Sequence, residues 1–490
     1  MASKPYDLML KNVRVVRPSG NAVHESDIAI QAGRIVQVAP GMDATLAKTV
    51  HDGGGKLAFP GVVDAHMHSG IYSPLGEDAV TESKAAAMGG VTSSLNYFRT
   101  GQYYLNKGGP YKKFYPEVLK ISKDRFFVDY GYHLAPMDKT HIDEIPMLIE
   151  KHGVSSFKIF MFYGSHGLHG ASNSQRDFLM IGEDERYDYA HFEFIMRGVQ
   201  KAREQFPERA RQISLSLHCE TAEIMTAYTK LVEKDKSLKG LPAYHASRPP
   251  HSEGLAVFIA SYLAHETSMP NINLLHLSSK KAVQAAMMMA DVFPHIDFRR
   301  EVTIGHLMLD ITSKAAELAK VNPPIRPRSD VEFLWEALLD GELDWVVSDH
   351  ACCRQEMKIP KHYFGNIWMA KSGFGGTEYL LPALVSEGTR RGMSYNHMAR
   401  VLSWNPAQRY GLNKKGDIAA GYDADIVLVD PASTWTVRAK DSPSTQGYTP
   451  FEGIELSAKV ISTYLRGEMI YDRGNLIGKP RGQYLFRPTA

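Results

Sequence analysis

Cysteine is nearly absent: three residues in 490, two of them the neighbours Cys352 and Cys353. Such a set cannot staple a chain of this size, so a disulfide framework is excluded and a reducing compartment, the cytoplasm, is expected. Long apolar runs are missing as well. None reaches the ~18 residues of a membrane helix, and Asp7 interrupts what would be the apolar core of a secretion signal. Neither sign of charge dominates. The 56 Lys and Arg against 54 Asp and Glu leave a net charge of +2, which gives no reason to expect nucleic acid or an anionic membrane as a partner. What is present is an apolar fraction of 44%, ordinary for a globular protein and enough for a large core. The length suits a barrel of about 250 residues or more with insertions, plus one accessory domain.

Against that background one pair stands out. An apolar run, residues 57–65, ends in His66-Met67-His68. Strand side chains alternate faces, so residues two apart point the same way. Two imidazoles leaving a strand on one face can hold one metal ion. Four more runs end in or carry ligand-type residues. The segment 154–162 carries Lys158 where it should be buried; 213–217 ends in His218-Cys219-Glu220; 272–275 ends in His276; 343–348 ends in Asp349-His350. Periodic segments such as Gly254 to His265 and Ser329 to Leu339 predict helices between them. Strands alternating with helices predict an α/β fold, a (β/α)8 TIM-type barrel, with its chemistry at the carboxyl ends of the strands.

Both chain ends read differently. Leu8 to Val16, Ser26 to Ile30, Arg34 to Val38, Asp425 to Asp430, Ala458 to Leu465 and Glu468 to Tyr471 are short alternating segments separated by turn residues. They predict a small β-sandwich built from both termini. The expected division is 1–57 and 413–490 for the sandwich and tail, with 58–412 as the barrel.

These motifs resemble the cyclic amidohydrolases, dihydropyrimidinase and D-hydantoinase above all, with allantoinase and dihydroorotase as cousins. Pro60-Gly61-Val62-Val63-Asp64-Ala65-His66-Met67-His68 is similar to the family's PG-hydrophobic-D-x-H-x-H. Ser156 to Tyr163 resembles the hydantoinase SFKVFMAY segment, and His218, Glu253, His276, Asp349, Asn405-Pro406-Ala407 and Gly421 to Val427 follow in the family's order. The resemblance runs nearly end to end. It implies a two-metal centre, most often zinc, with His66, His68 and Asp349 on one ion and His218 and His276 on the other. Lys158, as N6-carboxylysine, would join them. It also implies hydrolysis of a small cyclic amide by a bridging hydroxide, and a homotetramer.

Each residue has a plainer reading. A strand lysine can snorkel to solvent, but a buried ammonium is costly, and its neutral amine can add carbon dioxide to become an anionic ligand. Asp349 can cap a helix or carry the proton from the attacking water to the leaving nitrogen. Tyr163 can be core, or the donor to the developing oxyanion. His166 and His169 lie in a Gly-rich loop, Gly164 to Gly170, that could cover the pocket or be an ordinary solvated loop. His350 can support the ligand beside it, His306 is unassigned, and the cysteines are packing residues rather than nucleophiles. The aromatic loop Tyr97 to Tyr111 can line a pocket for a bulky substituent or pack at a subunit contact. The tail after Gly467 (Tyr484 to Pro488) is expected to reach a neighbouring chain.

The chain also departs from its relatives. Dihydroorotases place an arginine two residues after the HxH pair, where this chain has Gly70. Asn322-Pro323-Pro324-Ile325-Arg326 keeps an NPPxR pattern that hydantoinases begin with Ser and dihydroorotases with Asn, so Asn322 is a ring contact whose chemistry points both ways. Ser372-Gly373 stands where hydantoinases have Asn-Gly, so Ser372 is an altered substrate contact. Two other readings remain: hydrolysis of another amide, imide or heterocycle, allantoinase- or dihydroorotase-like, and a non-catalytic scaffold like the collapsin response mediators.

Overall fold

The computed structural model describes residues 4–163 and 174–489. The strand-like runs, rich in apolar and small residues, lie in a sheet buried on both faces. The barrel strands are Val62–Met67 (β1), Val91–Phe98 (β2), Asp129–Leu134 (β3), Ser156–Phe160 (β4), Ser214–His218 (β5), Asn271–Leu274 (β6), Asp297–Thr303 (β7) and Trp345–Val347 (β8). Each pairs in parallel with the next. The ends of this sheet also meet. Ser348 N donates to Asp64 Oδ1 at 3.1 Å, and His68 N donates to His350 O at 2.8 Å. The eight strands thus form a nearly closed barrel, and a helix follows each strand, from Leu75–Met88 after β1 to Leu380–Arg390 after β8.

Both ends of the chain enter one nine-stranded sheet. Tyr6–Val15 pairs Ala47–Asp52 along its first half and Leu57–Pro60 at its end, with an irregularity between Leu10 and Val13. A strand that changes neighbour at a bulge turns a corner between layers. Leu57–Pro60 then pairs Ile426–Asp430 from the other end of the chain. Leu10, Ile28, Ile30, Ile426 and Tyr464 share the core between them. Among the described residues no helix is long and apolar enough to cross a membrane.

The C-terminal tail lies on its own barrel. Strands β3 and β4 pair through only Leu134 and Phe157, so the other end of β3 has backbone groups to satisfy. The tail supplies them: Tyr130 N donates to Gln483 O at 3.0 Å and Leu485 N to Tyr130 O at 2.8 Å. Arg487, fully buried, donates from Nη1 to Ser156 Oγ at 2.8 Å. Two backbone hydrogen bonds at about 1 kcal/mol each, with the burial of Leu485, contribute on the order of 3 kcal/mol. Removal of Gly482 to Ala490 is expected to lower the urea midpoint accordingly. An unchanged midpoint would show the tail to be ornamental.

Candidate metal centre

His66 and His68 leave β1 on the same face, as their spacing requires, and both are buried. Asp349 follows β8, the neighbour of β1 across the barrel closure. Its Oδ1 lies 3.2 Å from the Nε2 atoms of both histidines. Asp349 holds φ +53° and His276 φ +34°, left-handed backbone that non-glycine residues rarely adopt and that clusters at functional sites. Burial raises the Asp349 carboxyl, yet His66 and His68 outweigh it and hold the group well below the usual carboxylate range.

Lys158 is 1% exposed, so it does not snorkel to solvent. Its Nζ lies 3.2 Å from His66 Nε2 and 3.9 Å from the centre of the Tyr97 ring. Among the described residues no carboxylate lies within ion-pair distance. Burial pulls its ammonium down to about 7, against the charges of Asp349 and Glu301, so a substantial share of the amine is neutral near pH 7.

His218 and His276 end β5 and follow β6, with ring centres 4.3 Å apart; the His276 ring is 5.4 Å from that of His66. Burial holds His66 and His276 well below the usual imidazole range and His218 at about 4. The rings are therefore neutral, the form that ligates metal. The residues present fit a metal centre on two counts. The ligand atoms of His66, His68 and Asp349 all lie within 4.8 Å of one another. His276 Nδ1 is buried with no hydrogen-bond partner among the described residues, a polar ring atom whose burial is costly unless something satisfies it.

Around these stand residues to which the sequence assigned no part in orienting the ligands. Glu301 Oε1 lies 2.7 Å from His66 Nδ1 and accepts from His276 N at 3.1 Å, and its Oε2 accepts from Trp345 Nε1 at 2.9 Å. One carboxylate thus orients a ligand from β1 and fixes the backbone of a second after β6. Glu220 Oε2 sits 2.7 Å from His218 Nε2 and is itself paired to Arg248 Nη1 at 2.8 Å. Tyr104 Oη lies 2.8 Å from His68 Nδ1. Partners of this kind set ligand orientation. Glu301→Gln is expected to weaken metal affinity by ~10–100-fold in a chelator competition; unchanged affinity would reduce Glu301 to a filler of the barrel.

His68, Lys158, Tyr163, His218, His276, Asn322, Asp349 and Ser372 border one cavity of about 60 Å³. Tyr244, also unforeseen, ties two of them together: its hydroxyl donates to Asn322 Oδ1 and lies 3.4 Å from Ser372 Oγ. Tyr163 Oη accepts from Arg99 Nε at 2.8 Å. The aromatic loop divides. Tyr104 borders the cavity, Tyr103 packs against Tyr72 beside it, Tyr97 is buried against His66 and Lys158, and Phe98 and Tyr111 are core.

The remaining candidates stand apart. His350 Nε2 lies 2.9 Å from Glu82 Oε2, and His306 Nε2 lies 3.1 Å from Pro323 O, so both brace loops behind the site. Cys352 and Cys353 are buried, with thiols pushed up by desolvation. Asp78, Glu82 and Cys352 form a second buried group, but Glu82 is already saturated by His350, Ser444, Thr445 and Thr81. A wider cavity of about 830 Å³, bordered by Met308 to Leu318 and Arg438 to Ile454, contains none of the candidate site residues. His166 and His169 lie outside the described residues.

A family model described as the amidohydrolase family matches residues 204–470. A D-hydantoinase of Geobacillus stearothermophilus is 29% identical over 98% of this chain and 96% of its own length. An allantoinase of Salmonella choleraesuis is also 29% identical, over 98% of this chain and 99% of its own. Among solved structures, a dihydropyrimidinase from Brevibacillus agri superposes with a TM-score of 0.82 at 26% identity, covering 98% of each chain.

Proposed function

The chain belongs to the amidohydrolase family, and from that premise we propose that it opens neutral cyclic amides, hydantoins or dihydropyrimidines, to N-carbamoyl amino acids. The observation that carries this reading is the buried Lys158 amine, which among the described residues makes no ion pair, set among His66, His68, His218, His276 and Asp349. A scaffold protein would have no use for that set. His66, His68 and Asp349 are the proposed ligands of one divalent ion, His218 and His276 of a second, with Lys158 between them. Such ions, zinc being expected, supply Lewis-acid polarisation and lower the pKa of water toward ~7. The neutral Lys158 amine can add carbon dioxide, forming an N–C bond and releasing a proton, and so present two carboxylate oxygens. Asp349, held ionised, accepts the proton of the attacking water and delivers it to the ring nitrogen as the C–N bond breaks.

Tyr163 is proposed to donate its hydroxyl to the carbonyl oxygen as charge develops there. Tyr163→Phe is expected to lower kcat by ~100-fold or more with metal content intact, because one positioned donor is worth about 3 kcal/mol in such sites. An unchanged kcat would return Tyr163 to the core. Asn322 and Ser372 are the proposed ring contacts. With Oδ1 engaged by Tyr244, Asn322 keeps its amide N–H groups for a substrate carbonyl.

The equal identity to an allantoinase makes allantoin the second ring to test. A hydrolysis panel of hydantoins, dihydropyrimidines, allantoin, dihydroorotate and cyclic imides checks both readings. Turnover of none of these by metal-loaded protein would favour the scaffold. The proposed assembly is a cytoplasmic homotetramer, which light scattering measures directly.

A further inference from the structure

One buried cation beside the site makes no ion pair among the described residues. Arg99 follows β2 and is 1% exposed. Among the described residues no carboxylate lies within ion-pair distance of it, and residues 164–173 contain no Asp or Glu. The guanidinium carbon lies 5.4, 5.1 and 4.8 Å from the ring centres of Tyr104, Tyr163 and Phe178. Those ring faces offset part of the cost of burying an unpaired charge. Its Nη1 donates to Thr100 O at 2.8 Å, and among the described residues its only side-chain acceptor is Tyr163 Oη, at 2.8 Å from Nε. The chain makes room for this arrangement at Gly101. There φ is +109°, and a Cβ would meet Arg99 Nη1 at 2.7 Å and the carbonyl oxygens of Leu179 and Phe178 at 2.9 Å.

We propose that Arg99 is a positioning residue that fixes the Tyr163 hydroxyl as a donor toward the reacting carbonyl oxygen. A guanidinium does not deprotonate in proteins, so its Nε–H can only donate. The phenol oxygen must therefore accept from Arg99, and its own proton has to point elsewhere. Among the described residues no acceptor takes that proton. The Tyr163 side chain borders the cavity that Lys158, His218, His276 and Asp349 also border, so the free proton is available to a substrate oxygen there. The adjacent fixed positive charge further favours negative charge building on Oη as the proton is shared. Sequence offers no hint of this: Arg99 follows Asn96-Tyr97-Phe98 with nothing to mark it.

This inference rests on the donor reading of Tyr163, and a double-mutant cycle separates the two. Arg99→Met, Tyr163→Phe and the double variant are assayed on a neutral hydantoin with kcat, KM, bound metal and urea midpoint measured for each. Arg99→Met is expected to lower kcat by ~10-fold or more with KM within about twofold and metal unchanged. In the Tyr163→Phe background the same substitution should change kcat by less than about twofold, because the oxygen it acts on is gone. Arg99→Lys keeps the charge without the planar Nε donor and should stay impaired by several-fold. Equal losses in both backgrounds would overturn the proposal while leaving Tyr163 impaired and its own reading intact. A loss confined to KM would make Arg99 a substrate contact and overturn it too. If Tyr163→Phe itself left kcat unchanged, both readings would fall. Should Arg99→Met not fold, Arg99→Lys carries the cycle; failure of both to fold would assign Arg99 to the fold and end the proposal.

Discussion

Lys158→Ala is expected to leave the chain folded, strip it of bound metal and lower kcat/KM by on the order of 10³-fold or more, since Lewis-acid stabilisation is worth several kcal/mol. The side chain is buried between His66 and two aromatic rings without a counter-ion. As an ammonium it would repel any cation placed beside it; as a carbamate it would be a ligand with two oxygens. Folding should survive, because an uncompensated buried ammonium contributes little to stability and its removal relieves a desolvation cost. Two measurements check the chemistry apart from activity. Metal analysis should find about two ions per active chain and far fewer in Lys158→Ala, because the donors exceed what one tetrahedral ion needs. Chelated wild-type protein should regain metal better with bicarbonate present than in carbon dioxide-depleted buffer. Full metal and rate in Lys158→Ala, or reloading indifferent to bicarbonate, would remove Lys158 from the centre.

The barrel was legible where a largely apolar run ended in a ligand-type residue. Four of its eight strands, β1, β5, β6 and β8, announce themselves that way, and β4 carries Lys158 within its run. β7 does not, because Asp297, Arg299, Arg300 and Glu301 break its pattern. The structure shows why those charges are tolerated: Arg299 and Arg300 pair with Asp344, while Glu301 turns inward to His66 and Trp345. A charged residue in a strand reads as exposure until its partner, over 200 positions away in the case of Glu301, is known. The partners of His218 and His68 were hidden for similar reasons. Glu220 was in view two residues from its histidine but without a role, and Tyr104 was in view as a pocket aromatic, with nothing local to separate it from Tyr103. The tail's docking on its own barrel was not legible, because apolar terminal residues need docking but sequence does not say that β3 and β4 leave a gap within the same chain.

Neutral rings are expected to be hydrolysed at least ~10³-fold more efficiently than dihydroorotate, because a buried carboxylate without a cation costs several kcal/mol. Two positions decide this. The arginine that dihydroorotases carry after the HxH pair would fall at Gly70. Here φ is +84°, a Cβ would meet Leu75 Cβ at 3.0 Å, and the backbone N–H is held by Asp78 Oδ2 at 2.7 Å. That turn is built for glycine. The other candidate was Arg326, which could have supplied the charge from the NPPxR segment. It is 1% exposed and already committed: Nε donates to Ser278 Oγ at 2.9 Å, Nη1 to Arg248 O at 2.6 Å and Nη2 to Glu253 Oε2 at 2.5 Å. Arg248 is likewise engaged by Glu220. Arg326 and Arg248 are each occupied by a carboxylate, and the unpaired Arg99 is engaged behind Tyr163, through Nε with its hydroxyl and through Nη1 with Thr100 O; among the described residues the cavity lining therefore offers a substrate carboxylate Asn322 and Ser372 but no arginine. The panel reads this directly as kcat/KM. If dihydroorotate outpaced every neutral ring tested, Arg326 would have to leave Glu253 on binding, and the hydantoinase-type reading would give way to the dihydroorotase one.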